Sequence, residues 1–263
     1  MKAVTGVFRS EVDAQHALGE LRSTGVADDR LTLLTPGGGE DNLNSAPLAA
    51  TEQPGMGKAV GAVLGTAAGM SGGPLIVAAL IPGVGPITAI GLLGGALLAA
   101  AGASIGAVAG GKLENAMTEG LPEDELFVYE DALRKGRSVL IALADDEDAA
   151  QPVRELLKAE GAESVDAARD QWWIGLRDAE HEHYSAFSRN LTDDEKFYRM
   201  GFEAALHARS RCKEYDQVLS EMAVHIEELK LRYPGAVIEE AYRRGYERGR
   251  DYYQRLCDEQ KAA

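Results

Sequence analysis

From Lys58 to Lys112 the chain lacks charge: the 53 positions between them hold no Asp, Glu, Lys, Arg or His, in a 263-residue protein that is 26% charged as a whole. Cysteine is scarce too. Cys212 and Cys257 fit no CxxC or zinc spacing and read as reduced thiols in the cytosol. Basic residues are outnumbered, with 27 Lys and Arg against 42 Asp and Glu, a net charge of −15 and a pI near 4.8. Phosphate binding draws on clustered Lys and Arg, so nucleic acid is excluded as a partner. The deficit sits in residues 1–179 (net −12), whereas 180–263 are nearly balanced (net −3). Met1-Lys2-Ala3-Val4 opens a folded-looking segment without a basic n-region or apolar h-region, so no secretion signal is expected.

Catalytic motifs are missing as well. No GxSxG, HExxH or Cys/His nucleophile context occurs. Gly57-Lys58 lacks the Ser/Thr that should follow, and Glu52 stands where a phosphate loop needs glycine. Gly37-Gly38-Gly39 precedes Glu40-Asp41, whose charges repel phosphate. The expectation is a protein that is not an enzyme and carries no cofactor. One chemical alternative comes from Glu203 with His207 and Glu221 with His225, i,i+4 pairs that, with His181-Glu182-His183, suggest a metal-binding helical bundle. Carboxylate di-iron bundles use Glu-x-x-His at i,i+3, so the spacing is wrong, and solvated helix faces explain these residues more simply.

What the uncharged block does contain is glycine and alanine around Ile81-Pro82-Gly83-Val84-Gly85-Pro86, a sequence that cannot continue a helix. It splits the block into two arms of about 22 to 25 residues, each near the ~20 that cross ~30 Å of hydrocarbon. Gly57, Gly61, Gly65, Gly69 and Gly73 recur every four residues, as do Gly102, Gly106 and Gly110, and residues four apart share a helix face. The reading is a glycine-zipper helical hairpin in a membrane, where unmade backbone hydrogen bonds enforce helix and small residues let backbones approach. Membrane lipid and a homo-oligomer are the partners it implies. The alternative is a soluble oligomeric binding or assembly protein in which the same stripes form a buried core.

On either side of the block the pattern is that of a small α+β domain. Ala3 to Phe8 is β-prone; Val12, Ala14, Leu18, Leu21 and Val26 mark a helix face; Arg30 to Thr35 alternates. Residues 36–57 form a turn-rich linker. Leu121-Pro122-Glu123-Asp124 starts a helix ending at Lys135-Gly136, Ser138–Ala144 is a buried strand, a helix follows to Gly161, and Glu163–Ala168 supplies the last strand. Removing the insertion leaves a ferredoxin-like βαββαβ order. The expected organisation is residues 1–35 plus 121–170 as that domain, 58–112 as the hairpin, and 180–263 as an all-α C-terminal module. Both ends of the hairpin then lie on the cytosolic side of the membrane. Trp172-Trp173 is expected to cap the small sheet.

The C-terminal third repeats itself. Tyr198-Arg199-Met200-Gly201-Phe202-Glu203 recurs as Tyr242-Arg243-Arg244-Gly245-Tyr246-Glu247. Mid-helix Gly201 and Gly245 predict close crossing of the two repeated helices, and Arg199 with Glu203, like Arg243 with Glu247, are i,i+4 partners. A bundle with pseudo-twofold symmetry, serving an unknown protein partner, is expected.

Val4-Thr5-Gly6-Val7-Phe8 with Ala14–Leu21, the Gly-rich insertion, Leu121 to Glu125, Tyr129 to Gly136 and Ser138-Val139-Leu140-Ile141 together resemble the bacterial general stress proteins with a YflT-type (heat-induced stress protein) N-terminal domain. The similarity spans about residues 1–168. It implies a stress-associated, membrane-linked role at the cytoplasmic membrane and carries no catalytic residue.

Overall fold

The computed structural model describes residues 1–37, 65–66, 76–81, 84–91, 94, 97, 125–186 and 191–262. The chain divides into two compact units, Met1–Ala168 and Arg169–Ala263.

The first unit is α+β. Its strands are β1 (Lys2–Phe8), β2 (Leu31–Pro36), β3 (Gly65–Thr66), β4 (Ile76–Ile81), β5 (Gly85–Gly91), β6 (Ser138–Ala144) and β7 (Glu163–Ser164). They form one sheet in the order β3-β4-β5-β2-β6-β1-β7, with every neighbouring pair antiparallel. Helix α1 (Glu11–Ser23) links β1 to β2, α2 (Leu126–Arg134) precedes β6, and α3 (Glu147–Ala159) links β6 to β7.

Strand alternation divides the core into two layers. Val4, Phe8, Leu31, Leu33, Leu140, Ala142 and Ala144 face α1 and α3, where Ala17, Leu21, Val153 and Leu157 close a single cluster. The odd-numbered neighbours Val7, Val139 and Ile141 are equally buried on the other face, which α2 covers and where its Tyr129 meets Thr5. All seven residues of β6 are therefore buried. Val12, expected on the α1 core face, is instead 74% exposed.

Local signals explain the helix ends. Ser10 accepts the amide of Asp13 at 3.1 Å and Asp146 that of Ala149 at 2.9 Å, capping α1 and α3. Gly136 (φ +75°) and Gly161 (φ +84°) end α2 and α3 in the left-handed conformation. The following amides, Arg137 and Ala162, each reach back 2.9 Å to the carbonyls of Ala132 and Leu157.

The largest correction concerns the uncharged block. Ile76–Ile81 and Gly85–Gly91 are paired β-strands rather than arms of a helical hairpin. Among the described residues no helix is long and apolar enough to cross a membrane, which overturns the membrane anchor. Three physical features favour the strands. Ile76, Val77, Ile81, Ile87, Thr88 and Ile90 are β-branched. Glycine at this density disfavours helix in any setting that does not enforce it. Val84 donates to the Ile81 carbonyl at 3.1 Å where β4 gives way to β5. β5 then pairs with β2 from Thr32↔Gly91 to Pro36↔Ile87, burying Ile87 and Ala89. Gly65, read as part of a helical stripe, pairs with Val77 in β3. Gly57, Gly61, Gly69, Gly73, Gly102, Gly106 and Gly110 lie outside the described residues.

The last strand is also shorter than expected. β7 ends after two residues because the Ser164 hydroxyl accepts the amide of Ala167 at 3.2 Å, capping helix α4 (Val165–Ser185).

The second unit contains the rest of α4, then α5 (Leu191–Leu206), α6 (Tyr215–Arg232) and α7 (Ile238–Ala262). Trp172 and Trp173, expected at the small sheet, belong to this second unit. Both rings pack 5.8 Å from Phe202, and the Trp173 indole donates to Glu195 at 2.8 Å. A residue pair this large packs where helices meet through side chains, a use that adjacency in the sequence does not reveal.

Candidate functional site

Two places combine concavity or buried charge with named polar groups, one in each unit. In the first unit the outer edge of β1 is only partly covered. β6 pairs with β1 along its whole length, from Lys2↔Ala144 to Phe8↔Ser138. β7 pairs on the other side with Gly6 and Val7 alone. Among the described residues no strand covers Lys2–Thr5 on that side, so alternate N–H and C=O groups there point outward.

A cleft of about 470 Å³ runs along this edge. Leu157, Arg154 and Lys158 of α3 line one wall, on the sheet face that Val4 occupies. Glu125 lines the other, on the face of Thr5, and Ser164 with Asp166 closes the end nearest β7. The polar groups on the Thr5 side are interlocked. Tyr129, 1% exposed, donates its hydroxyl hydrogen to Glu125, so the Thr5 hydroxyl donates to the Tyr129 oxygen at 2.9 Å. Arg154 is held by Glu147 at 2.6 Å, while Lys158 stands exposed at the cleft mouth. Arg137 pairs with Glu163 and anchors β7 where it stops. The chemistry on offer is a row of backbone donors and acceptors, with cations on one side and a carboxylate on the other.

In the second unit the repeat residues come together. A β-carbon added at Gly201 would overlap the carbonyl oxygen of Tyr242, and one at Gly245 would overlap that of Tyr198. Gly249 continues the contact, its added β-carbon falling 2.5 Å from the Phe202 carbonyl oxygen. Along α7 the partners move from Tyr198 and Phe202 at Gly245 to Phe202 and Ala205 at Gly249, so α5 and α7 run side by side in the same direction. Arg199 bonds Glu203 at 2.6 Å and Arg243 bonds Glu247 at 2.9 Å, reproducing the pair in each copy. Arg199 also reaches Asp170 at 2.9 Å.

Beside this crossing lies a charged cluster that motif reading missed. Glu180, 1% exposed, receives Arg248 through both Nε and Nη2 at 2.8–3.0 Å, and the Tyr198 hydroxyl at 2.7 Å. Tyr184 donates to Asp194 at 2.8 Å and packs 5.0 Å from Tyr198. Burial first, and then the bond to Glu180, raises the Tyr198 hydroxyl above the ordinary tyrosine range. Every oxygen of Glu180 is satisfied, so the cluster fastens α4, α5 and α7 and leaves no group free for a ligand. No local motif marks Glu180 and Arg248, which are 68 positions apart.

The residues of the metal reading are not assembled. Glu203 is taken by Arg199, His207 accepts the Arg209 amide at 3.3 Å, and His225 lies 6.5 Å from the Tyr242 ring. Among the described residues no group of three or more His, Cys, Asp or Glu is arranged to hold a metal ion. Comparisons of the chain with protein-family models, with curated proteins and with solved structures return no match.

Proposed function

We propose that this chain is a non-enzymatic interaction protein whose first unit binds a partner along the open edge of β1. Within this proposal the first unit is a ferredoxin-like sandwich: β1-α1-β2 and β6-α3-β7 form its two halves, in the order β2-β6-β1-β7, and the β4–β5 hairpin extends the sheet beyond β2. The resemblance to general stress proteins supplies a setting and no chemistry.

The observation that carries the reading is the early end of β7. Among the described residues it leaves the outer side of Lys2–Thr5 without a strand partner beside a cleft of about 470 Å³, and a sheet edge bordered by a cleft is the geometry used for strand addition. The side chains around it support recognition rather than turnover, because Thr5, Tyr129, Glu125 and Arg154 are already engaged with one another or with Glu147.

Screening the full chain against a displayed library of random peptides, followed by residue-resolved amide hydrogen exchange, tests this. Ligands that slow exchange at Lys2–Thr5 are expected. A library that yields none, or yields ligands protecting other surfaces only, contradicts the proposal.

A further inference from the structure

The charge around the β1 edge narrows what it accepts, given the reading just stated. Successive side chains of any strand added there point to opposite faces of the sheet. One face presents Lys158 and Arg154, and the other presents Glu125. We propose that the partner is an extended protein segment in which acidic and basic side chains alternate, the acidic ones directed at α3 and the basic ones at Glu125.

The register follows from β7, which sets Ser164 opposite Gly6 and Glu163 opposite Val7. A segment continuing that antiparallel row places a side chain opposite Val4 beside Arg154 and Lys158, and side chains opposite Ala3 and Thr5 toward Glu125. Leu157 floors the α3 side, so the aliphatic stem of a glutamate packs there while its carboxylate reaches Lys158. Asp166 at the closed end disfavours a further acid next to β7, which sets the acidic position away from that end. Four residues of open edge admit about four paired residues, roughly 13 Å of strand. Main-chain pairing supplies affinity and the alternating charge supplies selection.

Two end-capped hexapeptides of identical composition separate the terms: one alternates glutamate and lysine, and the other groups the two glutamates before the two lysines. Titrated against the full chain, the alternating peptide is expected to bind at least about tenfold more tightly. Methylating its alternate backbone nitrogens should abolish binding, because the ladder loses its donors. Lys158→Glu, at an exposed position, should weaken it about fivefold or more. Equal binding of the two hexapeptides, or indifference to Lys158→Glu, overturns the charge rule. If library ligands still protect Lys2–Thr5, the edge reading survives that failure; if nothing protects these amides, both fall.

Discussion

Gly201 lies so close to the carbonyl oxygen of Tyr242 that a β-carbon at position 201 would overlap it, and Gly245 repeats the relation with Tyr198. The two copies of the repeat are thus keyed to each other, each glycine accepting the backbone of the tyrosine that opens the other copy.

Alanine at either position is expected to destabilise the second unit by about 1–3 kcal/mol, since the overlap is with backbone and cannot be relieved by a rotamer change. Gly175, in α4, has no atom within 4 Å of an added β-carbon, so Gly175→Ala should instead stabilise by about 0.5–1 kcal/mol. Urea unfolding of the three variants checks this, and the same sign for all three would refute the close-crossing account.

Arg248→Met leaves Glu180 buried without its cation, and a loss of about 3–5 kcal/mol is expected. The double variant Glu180→Met, Arg248→Met should lose much less, because it removes both charges. A double-mutant cycle measures the coupling, and a single-variant loss below about 1 kcal/mol would contradict the lock.

Tyr215 is buried, yet among the described residues its hydroxyl has no hydrogen-bond partner. Tyr215→Phe is therefore expected to leave thermal stability unchanged or raise it. Tyr184→Phe, which strips Asp194 of its 2.8 Å donor, should lower stability by about 1–3 kcal/mol. Melting temperatures that rank the two variants the other way would count against these assignments.

Burial pushes the hydroxyls of Tyr242 and Tyr246 up to about 12, and that of Tyr198 is raised as well. An unfolded tyrosine ionises near ~10. Below that pH both states keep their protons and these groups add no pH dependence. Above it the unfolded chain releases protons first, so stability falls as pH rises, by up to about 1.4 kcal/mol per pH unit for each tyrosine until the native hydroxyl ionises. Urea midpoints between about pH 8 and about pH 11.5 should be level and then drop, less steeply in Tyr246→Phe. A level profile throughout would refute it.

The parts of the fold that could be read directly were those with local punctuation. Ser10, Gly136 and Gly161 act within a turn of where they stand, and the Tyr-Arg-x-Gly repeat announces its helix crossing because only glycine admits that backbone contact. The uncharged block misled for a definable reason. Its glycines every four residues satisfy a helix stripe, whereas the competing signal, β-branched residues around Pro82-Gly83, is brief and draws its stability from β2, about 50 positions away in sequence. Trp172-Trp173 and Glu180 misled or escaped notice likewise, since their partners Phe202 and Arg248 come from distant helices. The β1 edge could not be read at all, because it exists only where Ser164 turns the chain into a helix instead of continuing β7.

Residue-resolved amide hydrogen exchange of the unliganded full chain tests the central claim, a sheet extended by the β4–β5 hairpin at one side and open along β1 at the other. Strong protection at Thr88 and Ile90 or their alternate neighbours, with rapid exchange at alternate amides of Lys2–Thr5, is the predicted result. Uniform protection along Lys2–Thr5, or a helical exchange pattern through residues 76–91, would contradict it.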